Sequence, residues 1–402
     1  MRVTDTTTRP FPWLGLIVLA ALIFTSVTSE FLPTGLLPEM AADLGVSESR
    51  VGLLITVFAG TVVLSSVPLS LLTRRYSRKS LVIVVLLVFI VSNVLAALAP
   101  SYEMLVVARV LGGLAHGLFW AVVGAYAGHL VPPHQLGRAV AITSGGGTAA
   151  FVLGVPVGTA IGHALGWRLA FVVIAAIILV FTVLAVKFLP PVDHHVPLST
   201  GEIPLPLHRD RTLPAVVLTW SIVVVVALGH NIFTTYVAPF LIGPVGVSEE
   251  GVAGALFLFG GAGAIGLVAA GVLGDRWPHA SIVGSVVLMG LAVFVTGLAA
   301  SNTALAITAM TVLWFAFGGV PALMQARMLR AASPRLRDLA AAGFTTSFNL
   351  SIAGGAFVGG VVLDRVGVGA LPFVEAALAL LGVALILLGD VWLRRRAVSR
   401  AS

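Results

Sequence analysis

Twelve runs of about 18 or more mostly apolar residues, parted by short polar breaks, recur along this 402-residue chain, and no other feature limits its fold so severely. A run of that length crosses the roughly 30 Å hydrocarbon core of a bilayer as a helix, at 1.5 Å per residue, with every backbone N–H and C=O satisfied internally. The runs lie near 13–38, 50–72, 80–99, 102–129, 136–163, 168–189, 213–241, 249–273, 280–299, 302–329, 338–362 and 369–393. Composition agrees, with 58% of residues hydrophobic and 10% charged, against about 25% charged in an ordinary soluble domain. The sequence predicts an all-α polytopic membrane protein with the lipid bilayer as its surroundings.

A formal charge of +7 raises the question of a nucleic-acid partner, and the placement of the basic residues answers it. With the N-terminus inside, all of the 23 Lys and Arg residues except Arg50, Arg109, Arg168 and Arg365 fall on the cytoplasmic side. That asymmetry is the positive-inside rule, so basicity reports topology: no nucleic acid is expected, and both termini are placed in the cytoplasm. The first run is too long for a signal-peptide core and lacks a small-x-small cleavage site, so it is expected to remain as a permanent helix. The chain contains no cysteine, which excludes thiolate metal sites, and no metal or cofactor is expected. The Pro- and charge-rich stretch after the sixth run reads as a cytoplasmic linker at 190–211 between an N-terminal six-helix bundle, 1–189, and a C-terminal one, 212–402. His194 and His195 within it read as solvated side chains.

The two bundles superpose in sequence at a constant offset of 201 residues. "GVSES" from Gly45 falls on "GVSEE" from Gly246; Pro38 falls on Pro239, Phe58 on Phe259, Gly117 on Gly318, Gly154 on Gly355 and Gly158 on Gly359. Ser47 and Ser248 are suited to cap the second and eighth helices. Parallel halves of this kind enclose a central site and let one half rock against the other. Gly154, Gly158 and Gly162 form a small-residue stripe on helix five, answered by Gly355 and Gly359 on helix eleven, and such stripes allow close backbone approach.

Against this apolar background the rare polar groups stand out. Glu30 lies in the first span, where an acidic residue costs roughly 2.5–3.5 kcal/mol on insertion scales, so an ionisable group there is a functional-site hypothesis. Arg109 in helix four is matched to it in depth, each about 10 Å below the outer boundary. On helix four, Arg109, Gly113, His116 and Trp120 recur at helical spacing and share one face. The reading is that Glu30 carries a proton, with Arg109 as its nearest candidate counter-charge; the alternative is a static Glu30–Arg109 ion pair that only fixes packing. His116, Trp120, His230, Asn231, Tyr236, Trp314 and Phe317 are expected to supply hydrogen bonds and apolar contact for a small-molecule substrate. Glu375 is expected to be buried near the outer end of helix twelve, a peripheral helix in this fold, and to take little part in the site.

The stretches "TSEFLPTGLLPEMAADLGVS", "RVLGGLAHGLFWA" from Arg109, "GVPVGTAIG" from Gly154 and "GWRLAF" from Gly166 resemble the major facilitator superfamily, specifically its bacterial drug:proton antiporters with twelve helices. The nearest likeness is to the sugar efflux (arabinose efflux permease) branch, which shares the Ala115–His116 pair and a polar helix seven like "GHNIFTTYVAPF". The resemblance covers essentially the whole chain. It implies the major facilitator fold and a monomer in the bacterial inner membrane that exports a solute, sugar or drug-like, in exchange for protons. The stretch around Pro156 is, by this resemblance, the antiporter motif of exporters; sugar, purine and chloramphenicol exporters share it, so the substrate stays open. A proton-coupled importer or uniporter of the same fold is the alternative. No Walker A loop, H-E-x-x-H or G-x-S-x-G occurs, which argues against a primary pump and against an enzyme.

One departure from the family concerns gating. Its loop between helices two and three carries a glycine and an aspartate where this chain has Ser70 and Arg74, whereas Gly271 and Asp275 supply both after helix eight. By the pseudo-symmetry of the fold, Arg74 is expected to face Asp338 and Asp275 to face Arg138 across the cytoplasmic seam, as latches of the outward-open state.

Overall fold

The structure is a computed structural model that describes residues 11–73, 75–132, 135–190, 210, 212–333 and 336–398. Arg74, His194, His195 and nearly all of the expected linker lie outside the described residues, as does the side chain of Asp338. Among the described residues there are no strands, and twelve helices are long and apolar enough to cross a membrane. We number them α1 (Trp13–Gly35), α2 (Glu48–Thr73), α3 (Arg78–Ala97), α4 (Tyr102–Leu130), α5 (Leu136–Ala149, continuing as Val155–Leu165), α6 (Trp167–Phe188), α7 (Leu213–Thr234), α8 (Glu249–Arg276), α9 (Pro278–Leu298), α10 (Thr303–Gly318, continuing as Val320–Ala331), α11 (Arg337–Val366) and α12 (Leu371–Val398). This is a multi-pass membrane protein, and an even number of crossings leaves the start of α1 and the end of α12 on one side, here called the termini side.

The sequence offset of 201 reappears in the backbone. Among the described residues, the four with positive φ are all glycines, and they form two pairs at that spacing: Gly45 (φ 64°) with Gly246 (φ 73°), and Gly166 (φ 91°) with Gly367 (φ 101°). Each sits at a sharp connection where a Cβ would be strained. Helix starts repeat as well. Ser47 and Ser248 each accept a backbone N–H from the first turn of α2 and α8 (3.3 and 3.2 Å), and Ser101 and Asn302 do the same for α4 and α10 (3.4 and 3.1 Å).

Lipid offers no hydrophobic drive between helices, so the halves are held by close packing. The glycine stripe of α5 lies on α1. A Cβ on Gly154 would fall 2.0 Å from Thr28 Oγ1, one on Gly158 2.7 Å from Leu32 Cδ1 and one on Gly162 2.4 Å from Leu36 Cδ2. The second half repeats the arrangement between α11 and α7: a Cβ on Gly355 would fall 2.5 Å from Asn231 Cβ, and one on Gly359 2.7 Å from the Ile232 carbonyl. Pro156 removes an N–H and crowds the preceding turn, and the helix answers with a π turn at Ala150–Gly154. That turn packs against α8, where a Cβ on Gly260 would fall 2.3 Å from the Phe151 carbonyl.

The contacts that join the two halves concentrate on the side opposite the termini. There α2 packs along α11, with Ile55, Ala59, Ile352, Ala353 and Ala356 buried together and Thr56 donating to the Ala353 carbonyl (3.0 Å). The Tyr236 hydroxyl donates to the Ala356 carbonyl (2.8 Å) and fills the space over Gly52, where a Cβ would fall 2.1 Å away. The second segment of α5 packs on α8, and the short helices Leu37–Leu44 and Val237–Ile242 meet beyond the membrane ends. The two halves are thus closed against each other on the side opposite the termini.

Close backbone approach makes a specific stability prediction. A Cβ on Gly266 of α8 would fall 1.9 Å from the Phe315 carbonyl of α10, whereas one on Gly284 of α9 meets nothing within 4 Å. Gly266→Ala should destabilise the detergent-solubilised protein by about 1–3 kcal/mol in thermal unfolding, because a main-chain oxygen cannot move aside, while Gly284→Ala leaves the midpoint in place. Equal midpoints for the two variants would contradict this packing.

Candidate functional site

Glu30, His116 and Trp120 meet in the N-terminal half. Helical spacing on α4 puts His116 and Trp120 one turn apart, and α1 presents Ser26 and Glu30 one turn apart on the facing surface. The Trp120 indole N–H donates to His116 Nε2 (2.6 Å), and His116 Nδ1 lies 2.8 Å from Ser26 Oγ. An indole can only donate, so Nε2 accepts and the proton of a neutral His116 resides on Nδ1, facing the Ser26 hydroxyl. Glu30 Oε2 lies 3.5 Å from the same Nε2, while Glu30 Oε1 is buried without a hydrogen-bond partner. Phe58, Phe89 and Phe119 pack around the imidazole edge to face or tilted. Glu30 and His116 are both buried, but Trp120 is 38% exposed, so the cluster opens through its indole.

Arg109 does not form the ion pair with the Glu30 carboxylate that the alternative reading requires. Its guanidinium donates to the main-chain carbonyls of Ser29 (2.9 Å) and Glu30 (2.7 Å) and stacks over the Phe58 ring, 4.3 Å from the centroid. The static Glu30–Arg109 carboxylate pair weighed from sequence is therefore absent from this conformation. The physical reason is geometric: the planar fork spans two successive carbonyls of α1, and the Glu30 side chain leaves the backbone toward His116, one α4 turn and more beyond Arg109. What Arg109 fixes is the position of the α1 segment from which the carboxylate projects.

The C-terminal half builds a different polar pair. His230 Nδ1 lies 3.0 Å from Glu375 Oε1, its ring stacks on Phe317 at a centroid separation of 3.5 Å, and Trp314 meets it edge-on at 5.6 Å. Glu375 is fully buried, with Oε2 lacking a hydrogen-bond partner. Glu375 is buried as expected, and although α12 lies at the edge of the fold, this face of it packs on α7. Asn231 is buried and donates to the Ala227 carbonyl (2.8 Å), leaving its oxygen for other partners. Tyr236, by contrast, is fully buried in the closed seam and its hydroxyl is used there. Sequence reasoning missed Ser26 and Phe58; the signal for Ser26 was its position one helical turn before Glu30.

On the termini side the expected Asp275–Arg138 pair is not made in this conformation. Asp275 is exposed at the end of α8, and the Arg138 guanidinium lies over the rings of Phe11 (4.4 Å) and Trp13 (4.5 Å). Arg327, Asp390 and His279 form a separate network on this side, with Arg327 NH2 2.5 Å and His279 Nε2 2.9 Å from Asp390. Gly271 has open space where a Cβ would stand.

Solved structures show the same architecture. The chain superposes on a bacterial homologue of the human lysosomal transporter Spinster in its inward-facing, unoccupied conformation with a TM-score of 0.70 at 17% identity, covering 94% of this chain and 95% of that one. The inward-facing, occupied conformation of the homologue gives a TM-score of 0.72 at 16% identity, covering 95% and 97%. A likeness at that identity establishes the fold. The family model of the Major Facilitator Superfamily matches residues 19–280, well over half of the sequence, and the chain belongs to that superfamily of membrane transporters, which move small-molecule substrates by alternating access.

Proposed function

We propose that this transporter is a proton-coupled efflux antiporter of the bacterial inner membrane, exporting a small organic solute, sugar or drug-like. The observation that carries the reading is the Glu30–His116–Trp120 cluster. Nε2 of His116 already accepts the Trp120 N–H, so an ionised carboxylate beside the same lone pair would be repelled; a proton on Glu30 removes that repulsion, whereas a second proton on the imidazole would sit on Nε2 and oppose the indole N–H. The site therefore binds a proton in this conformation. Trp120 joins the proton site to the substrate path, because a solute that displaces the indole frees Nε2 and changes the proton's hold. With the basic residues on the termini side, that side is cytoplasmic by the positive-inside rule. The seam is then closed outside, and proton release would face the cytoplasm. The export direction and the drug:proton antiporter branch rest on the motif resemblance. His230, Asn231, Trp314 and Phe317 supply the facing wall, and Tyr236 acts at the outer seam rather than on substrate.

The role of Glu30 is tested by Glu30→Gln, which mimics the protonated acid and cannot cycle. In proteoliposomes this variant should exchange solute down its gradient within about twofold of wild type yet lose proton-driven export by roughly tenfold or more, equivalent to at least 1.4 kcal/mol. Undiminished uphill export would overturn the coupling role. Direction is read in everted vesicles: a proton-coupled exporter accumulates solute when the lumen is acid.

Arg109 acts as a positioning residue. Arg109→Lys keeps the charge but loses the fork that spans the Ser29 and Glu30 carbonyls, so the export rate should fall by about tenfold while its pH profile stays in place. A displaced profile would show instead that the guanidinium acts on the proton.

The gating proposal is that Arg138 exchanges partners, leaving its stack on Phe11 and Trp13 for Asp275 when the cytoplasmic side closes. Exposed pairs contribute only about 0.2–1 kcal/mol, enough to bias a nearly balanced equilibrium. Asp275→Arg should lower the outward-open population seen by spin labels across the cytoplasmic seam, and Arg138→Asp added to it should restore part of the loss. Additive effects of the two substitutions would remove the latch. Arg74 and Asp338 form the analogous pairing in this proposal.

A further inference from the structure

On the closed side of the seam three potential metal ligands converge from both halves of the protein. Glu39 belongs to the short helix after α1, His163 to the last turn of α5 and Glu249 to the first turn of α8, and one donor atom from each lies within 4.8 Å of the other two. The His163 side chain is 5% exposed and that of Glu39 21%. Both ring nitrogens of His163 and both carboxylate oxygens of Glu39 are buried without a hydrogen-bond partner. His163 Nδ1 stands 2.6 Å from Glu39 Oε1, yet out of line for a hydrogen bond. Among the described residues, no Arg or Lys forms an ion pair with Glu39 or Glu249, whereas the nearby carboxylates of Asp43 and Glu103 pair with Arg168 and Arg50. Apart from the His163–Glu39 contact, which is an ion pair when the imidazole carries a second proton, these nitrogens and oxygens converge on one point with no Lys or Arg paired to them among the described residues.

We propose that Glu39, His163 and Glu249 form a site for a divalent transition-metal ion of the zinc class, which ties the two halves together on the side opposite the termini. One imidazole nitrogen and two carboxylate oxygens, with a fourth position left to water, is a donor set that zinc accepts at bond lengths of about 2.0–2.2 Å. The imidazole disfavours calcium and magnesium, which take oxygen ligands. Donors on a tetrahedral ion stand roughly 3.3–3.5 Å apart, so side-chain rotations of about an ångström bring these three onto a common centre. Glu39 and His163 move with the N-terminal half and Glu249 with the C-terminal half. An ion held by all three must be surrendered by at least one ligand when this side opens, so bound metal favours the conformation described here.

The test uses the full-length purified chain with its affinity tag removed and His194 and His195 replaced by Ala, so that the linker does not contribute ligands. Calorimetric titration with ZnCl2 should show one ion per chain, not displaced by millimolar Ca2+. Both His163→Gln and Glu249→Gln should weaken binding at least tenfold. Glu249 is exposed at a helix start, so its variant supports the comparison even if His163→Gln folds poorly. The second readout is conformational. The chain has no cysteine, so spin labels on Glu103→Cys and Ser301→Cys report the distance across this side directly. Zn2+ should shift that distribution toward the shorter distance, and Glu249→Gln should abolish the shift. Absence of zinc binding, or binding indifferent to both substitutions, overturns the site; binding without a change in distance overturns its bridging of the halves. Neither readout depends on substrate or on proton coupling, so the export reading stands or falls separately.

Discussion

The bundle depends on backbones coming close enough to substitute for a hydrophobic force that lipid does not provide, and glycine is the residue that permits it. The α1–α5 and α7–α11 contacts are the symmetric expression of this constraint. In each, a glycine stripe receives the helix that opens its half and the residues just past it: Thr28 and Leu32 of α1 with Leu36 beyond its end, and Asn231 and the Ile232 backbone of α7 with Tyr236 beyond its end. These opening helices also carry the polar groups of the interior, Glu30 on one and His230 on the other. Packing and chemistry therefore share the same two helix pairs, and the depth at which Glu30 meets His116 is set by how Gly154 and Gly158 seat α1.

The two halves share a backbone but divide the chemistry. Arg109, His116 and Trp120 of α4 correspond at the 201 offset to Met310, Phe317 and Pro321 of α10, so the second half has aromatic and apolar groups where the first has a cation and an imidazole. Its buried acid comes from elsewhere, from Glu375 on α12, and pairs with His230 under the Phe317 ring. A shared backbone with unequal side chains thus concentrates the cation and the imidazole beside Glu30 in one half.

Much of the architecture was legible because membrane constraints are written in residue types. Apolar run length gave the twelve crossings, and the GVSE repeats marked the turns that carry Gly45 and Gly246 and the caps at Ser47 and Ser248. The face formed by Arg109, His116 and Trp120 was legible from helical spacing alone. What the sequence did not reveal were directions: a guanidinium at the depth of Glu30, the nearest candidate counter-charge, spans two main-chain carbonyls rather than meeting the carboxylate. Depth follows from counting residues, whereas rotation about a helix axis depends on packing. The pairing of Glu375 with His230 was hidden for the same reason, since the peripheral position of α12 says nothing of which face it turns to α7. The cluster of Glu39, His163 and Glu249 was invisible because its members are separated by more than a hundred residues in the case of Glu39 and His163 and belong to different halves.

Helix α1 connects the interior to the seam. Glu30 lies within it, and the chain continues past Pro33 and Gly35 into the short helix that carries Glu39. Helix α5 runs beside it, with its glycines on Thr28 and Leu32 at mid-membrane and His163 beside Glu39 at its end. Because backbone contact along this stripe leaves no slack for sliding, a displacement of α1 at Glu30 is carried to Glu39 with α5 in step. Helix α8 is the one that parts from them when this side opens, since it meets α5 through Gly260 at the π turn and through Glu249 at its start. α1 and α5, with α8 as a cross-half neighbour, thus link the Glu30 cluster mechanically to the closed side of the transporter.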